Sequence, residues 1–193
     1  MRGWFNRNPI MKKYNVSYSG IFNVLKNKPD SKLTWGEAYF LAQTYSLLDN
    51  FTPEDYHKTL HYANLMIQKE NTAQSRVLAY LMMSNAADSM NTITGNPSWL
   101  QKETYFDLKF MENNPDGIIN DGSSDWENNS LLNEISTPMT LLREAGYTIS
   151  SVAISFPWKL SAAANDGKIH TMEDLNRLGF EQWKQNYITP LIS

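Results

Sequence analysis

From Thr34 to Met111 the polar and apolar positions repeat one unit four times: a hydroxyl residue, a polar group three places on, then an apolar stripe at three-and-four spacing. The frames are Thr34-Trp35-Gly36-Glu37, Thr52-Pro53-Glu54-Asp55, Thr72-Ala73-Gln74-Ser75 (a weaker version) and Ser98-Trp99-Leu100-Gln101. Each offers a side-chain oxygen to the orphan amides of a helix start, and an acid or amide at the third position can answer the cap in return. The pattern predicts helices over about 35–48, 73–91 and 99–111, and one that begins at Pro53 and carries Tyr56, Leu60, Ala63 and Ile67 on one side. Pro53 stands at a first helical position, where its missing N–H costs nothing.

The segment 77–83 (Val-Leu-Ala-Tyr-Leu-Met-Met) is apolar around most of its girth, which places that helix in the middle of the group. Gly95-Asn96-Pro97 ends it, and the short connections favour antiparallel neighbours. A shorter helix is predicted over 20–27, with Ile21, Val24 and Leu25 on one face, and others over 137–146 and 172–178, the first stopped by Gly146 and the second by Gly179. Between 151 and 158, Val152, Ile154, Phe156 and Trp158 alternate with Ser151, Ala153, Ser155 and Pro157, a period of two that predicts a strand. A lone strand needs a partner, either around 14–18 or in a neighbouring subunit.

The expected fold class is therefore mainly α: an antiparallel helical bundle over about 34–111, a minor β element near 147–158, and extended N- and C-terminal arms. The domain reading is an extended basic arm at 1–19, a bundle domain at 20–165 with a long polar loop at 113–130, and a short helix with an aromatic tail at 166–193.

Composition narrows the function classes. With 193 residues and 41% apolar side chains the chain can bury a core of its own. Only 19% of residues are charged, and 20 asparagines supply much of the remaining polar surface. The absence of cysteine excludes disulfides, thiolate metal sites and cysteine nucleophiles. No apolar run is long enough for a membrane helix or a secretory signal, so a soluble, cytoplasmic protein is expected, with no membrane partner. Charge is uneven: residues 1–33 sum to +6 and the rest to −9.

Three patterns bear on chemistry. Glu54, His57 and His61 lie at helical spacing and form a candidate metal cluster for a small metal-dependent enzyme. His-Lys-Thr-Leu-His lacks the glutamate that serves as base in a zinc protease, so two histidines at the border of a wet face is the favoured reading. Residues 112–123 follow a calcium-loop template at Asn114, Asp116, Gly117 and Ile119, but Glu112, Pro115 and Ser123 break it, which favours a solvated turn. Residues 141–152 are similar to a helix-turn-helix with Gly146 at the turn, yet Tyr147 to Pro157 contains no basic residue to meet DNA. No phosphate loop or nucleophile elbow occurs, so no catalytic residue, cofactor or metal ligand is assigned.

Large apolar side chains in both terminal segments point to burial against partners. The candidate partner-binding residues are Arg2, Trp4, Phe5, Arg7, Lys12 and Lys13 in the arm, and Phe180, Trp183 and Tyr187 in the tail. The arm's favoured target is an acidic protein surface, such as the body of the next copy, with DNA as the alternative. In layout the chain resembles the helical adaptor proteins of tailed-phage head-to-tail connectors, through the bundle at 34–111 and its extended flanks. That resemblance implies a non-enzymatic subunit of an oligomeric ring. Its partners would be copies of itself and portal or tail proteins. Its place would be a virion assembled in the bacterial cytoplasm. A monomeric protein-binding regulator is a further alternative.

Overall fold

The computed structural model describes residues 18–114 and 135–193. The described chain is helical from end to end. After α1 (Tyr18–Leu25) and a 3-10 turn (Asp30–Lys32) come α2 (Trp35–Ser46), α3 (Pro53–Lys69), α4 (Ala73–Thr94) and α5 (Ser98–Asn113). These four form the bundle that the repeated unit predicts.

Their starts are set by the expected caps. Thr34 accepts from the Glu37 amide at 3.3 Å while the Glu37 carboxylate accepts from the Thr34 amide at 2.9 Å. Thr52 and Asp55 repeat that reciprocal pair, and Thr72 caps the Ser75 amide. Ser98 differs: it lies inside α5, whose flanking residue is Pro97, and its amide donates to the Asn96 side chain. The proline holds the chain in a helical conformation one residue earlier than a serine cap would.

Helix α4 touches α2, α3 and α5, as its all-round apolar character requires. Its pairing with α5 is antiparallel, since Arg76 meets Asn113 while Ser84 meets Asp107. On the other side Tyr45 of α2 stacks on Tyr62 of α3 at 5.8 Å. Leu41, Met66, Ala79, Met82 and Phe110 anchor the core. A smaller cluster forms at the far end, where Tyr56 meets Trp99 edge-on at 4.8 Å above Ala86, Ala87 and Met90.

The remainder comprises α6 (Ser136–Glu144), α7 (Ser151–Asn165), α8 (Met172–Arg177), α9 (Phe180–Trp183), a π-helical turn (Lys184–Ile188) and α10 (Thr189–Ile192). Two expectations are corrected here. The segment 151–158 is helix, and no strand occurs among the described residues. Ser150 caps α7 through the Ala153 amide at 3.1 Å, and Ala153, Pro157, Leu160 and Ser161 form its buried side. The period-two reading fails because half of the alternating large residues, Val152 and Trp158, face solvent rather than a core.

The C-terminal segment is likewise not an extended arm. Gly179, at φ 94°, turns the chain so that α9, the π turn and α10 lie along the bundle. Phe180, Trp183 and Ile188 belong to the same core cluster as the bundle's own residues. Of the polar loop expected at 113–130, only Asn113 and Asn114 fall within the described residues, as does only the end of the expected arm at 1–19.

Candidate functional site

Among the described residues, helix α7 carries two of the most exposed large apolar residues, second only to Val24 of α1. Val152 is 55% and Trp158 58% exposed, and Ser151, Ser155, Lys159 and Ala162 around them are exposed as well. At 100° per residue all six fall within about one third of the helix circumference. The opposite side is fixed in the core, so this face is presented by a rigid element.

Tertiary hydrogen bonds to its backbone carbonyls hold α7 in place. The Trp183 indole N–H donates to the Ala153 carbonyl at 2.9 Å, and the Ser136 hydroxyl donates to the Ile154 carbonyl at 2.9 Å. Phe156 stacks on Trp183 with ring centroids 5.1 Å apart. The tail that carries Trp183 is itself tied to α5: Lys184 lies 3.1 Å from Glu112 and 2.7 Å from Glu181, and the Gln101 amide donates to the Leu191 carbonyl at 2.7 Å. Burial works to lower the Lys184 pKa, but the hydrogen bonds it donates to Glu181 and Glu112 and their negative charges raise it overall, so the ammonium is held charged.

Between the start of α7 and this tail lies a cleft of about 250 Å³, with Tyr147, Ile149, Tyr187 and Leu191 among its apolar walls and Thr148 and Asn186 among its polar ones. It is smaller than the usual range for small-molecule sites.

The partner-binding residues expected from the sequence divide sharply. Arg2, Trp4, Phe5, Arg7, Lys12 and Lys13 lie outside the described residues. Phe180 is fully buried and Trp183 nearly so, and both pack within the chain itself. Their assignment to a partner is corrected: in the folded chain these rings are core, and the hydrophobic effect that marked them as a hazard is satisfied internally. Tyr187 is half-buried against the same cluster and faces the cleft. Val152 and Trp158, which the sequence reading assigned to a strand, are instead among the apolar groups left in water. A helical phase applied to 151–162 would have put them on one polar-flanked face.

The candidate metal cluster is not assembled. Glu54 pairs with Lys58 at 2.7 Å, His61 lies 2.8 Å from the Asp30 carboxylate, and His57 stands edge-on to Tyr56. Among the described residues no group of three potential ligands converges on a point. Of the calcium-loop template, Glu112 is engaged by Lys109 and Lys184, and residues 115–123 lie outside the described residues. Helices α6 and α7 do form a helix, a Gly146 turn at φ 97° and a second helix, but the exposed face of α7 carries Lys159 as its one charged residue. No described helix is long and apolar enough to cross a membrane.

The chain matches no family model, no curated protein and no solved structure.

Proposed function

We propose that the protein is a non-enzymatic assembly subunit, working by contact with copies of itself and with other structural proteins. The observation that carries this reading is the Val152–Trp158 face: two large apolar side chains held in water by a helix whose other side is locked into the core. An exposed tryptophan on a rigid helix is the kind of side chain that dominates binding energy at protein interfaces. The basic segment at 1–33, against the net acidic remainder, adds a charge complementarity that favours contact between copies.

The connector-like layout enters the proposal through the helical body and the N-terminal arm. The tail no longer contributes to that likeness, because it is folded into the core. A subunit of an oligomeric ring, in a virion neck or a comparable assembly, is the architecture proposed.

Sedimentation equilibrium of the full chain over a wide concentration range tests the reading. Expected is a mass that rises above 22.2 kDa with concentration. A monomer at every concentration, joined by stoichiometric zinc or iron that is lost in His61→Ala, would overturn it in favour of a metal-dependent protein.

A further inference from the structure

We infer that the exposed face of α7 is a self-docking surface, on which a second copy packs its own α7 antiparallel about a two-fold axis at Ser155. This inference rests on the reading that copies of the chain associate; a two-fold contact is isologous and joins copies in pairs, so within a ring it adds to the head-to-tail contacts rather than replacing them.

The spacing of the face carries the argument. Val152 and Trp158 lie three residues to either side of Ser155. A two-fold axis perpendicular to α7 at Ser155 exchanges them, so Trp158 of each copy covers Val152 of the other. The residue at the axis, Ser155, is small, so the two backbones can approach closely there, while Lys159 of each copy falls opposite Ser151 of the other. Antiparallel alignment also sets the two helix dipoles against each other favourably.

The charge of the face decides among occupants. Lys159 is the one charged residue α7 gives it, and Arg143 of α6 reaches its edge, 3.5 Å from the Ser151 hydroxyl. A nucleic-acid backbone needs several cations, which the face lacks. The basic arm, with Arg2, Arg7, Lys12 and Lys13, needs carboxylates, and the face has none. A mainly apolar surface, with Lys159 and Arg143 toward its edges and no carboxylate, fits best against another apolar face, and a second copy of the chain supplies one.

Area sets the strength. A tryptophan side chain carries about 150–250 Å², so at 58% exposure each Trp158 leaves roughly 90–145 Å² to be covered. With Val152 and the intervening positions, two such faces bury on the order of 800 Å² in all, below the standard interface and suited to a reversible contact within a larger assembly.

The chain has no cysteine, so a single introduced thiol reports the geometry cleanly. On mild oxidation Ser155→Cys is expected to form a disulfide-linked dimer, because the axis brings the two sulfurs together. Ala162→Cys, on the same face, places the two thiols about 21 Å apart along the helices and is expected to stay monomeric. Trp158→Ala, an exposed position whose loss leaves the core intact, is expected to weaken self-association by about tenfold or more. Equal cross-linking of the two cysteine variants, no cross-linking of Ser155→Cys, or unchanged association of Trp158→Ala would overturn the inference. If the unmodified chain still self-associates in those cases, the assembly reading stands without α7; a monomer throughout removes both.

Discussion

The indole N–H of Trp183 donates to the Ala153 carbonyl, the oxygen to which residue 157 would donate in an unbroken helix. Residue 157 is proline and has no N–H to give. The next carbonyl, that of Ile154, receives the Ser136 hydroxyl. Pro157 is thus tolerated seven residues into α7 because a side chain from the tail replaces the donor that proline removed.

That replacement is measurable as a coupling. Trp183→Phe keeps the stacking on Phe156 but strands the buried Ala153 carbonyl, and should cost about 1–3 kcal/mol of stability in urea denaturation. In a Pro157→Ala background the backbone can supply the missing N–H, so the same substitution should cost about 1 kcal/mol less. Strict additivity of the two changes would show that the two donors are not interchangeable.

Two glycines should respond to alanine with opposite sign. Gly95 ends α4 at φ 63°, a left-handed conformation with open space around the added methyl, so Gly95→Ala should lower stability by about 1 kcal/mol through backbone strain alone. Gly36 sits in the first turn of α2, also with open space, and Gly36→Ala should raise stability by about 0.5 kcal/mol. Thermal melts of the two variants would check this.

Acid sensitivity should trace in part to Glu37. Burial works to raise its pKa, but the Lys28 ammonium at 2.7 Å and the Thr34 amide and hydroxyl outweigh it and hold the carboxyl below the ordinary 4.5. A carboxyl whose native value is depressed stabilises the fold above its unfolded value, and that contribution is lost as pH falls through the native value. Glu37→Gln should therefore cost about 0.5–1 kcal/mol at pH 7 and flatten the decline of stability below pH 4.5. Denaturant midpoints at pH 7, 5 and 3 give the comparison.

Lys184 joins the tail to α5 through Glu112 and to its own turn through Glu181. Lys184→Met keeps most of the stem's packing and removes the charge, so the loss should be about 1 kcal/mol at low salt and smaller at high salt. A loss that does not change with salt would assign the effect to packing instead.

The bundle was legible because its signals are local. Thr34, Thr52, Thr72 and Thr171 each cap a helix within the next three residues, and Gly95 closes one within its own φ, so neighbours in sequence suffice to read them. The all-round apolar run at 77–83 likewise marked the central helix without reference to any other segment. The α7 segment was misread because its evidence is distant: Pro157 and the alternation of Val152, Ile154, Phe156 and Trp158 argue locally for a strand, while the donors that permit a helix stand at 136 and 183. The exposed face followed that error, since a strand keeps Val152 and Trp158 on one side with Ile154 and Phe156, whereas the helix leaves Val152 and Trp158 exposed and turns Ile154 and Phe156 toward the core.

The sequence by itself determined where three of the four bundle helices begin and that the terminal segments hold more apolar surface than water tolerates. Only the tertiary structure decided where that surface goes: Phe180 and Trp183 inward, Trp158 outward. A hydrophobic side chain records a demand for burial without direction, and the direction is set by which distant segment completes the local hydrogen bonds.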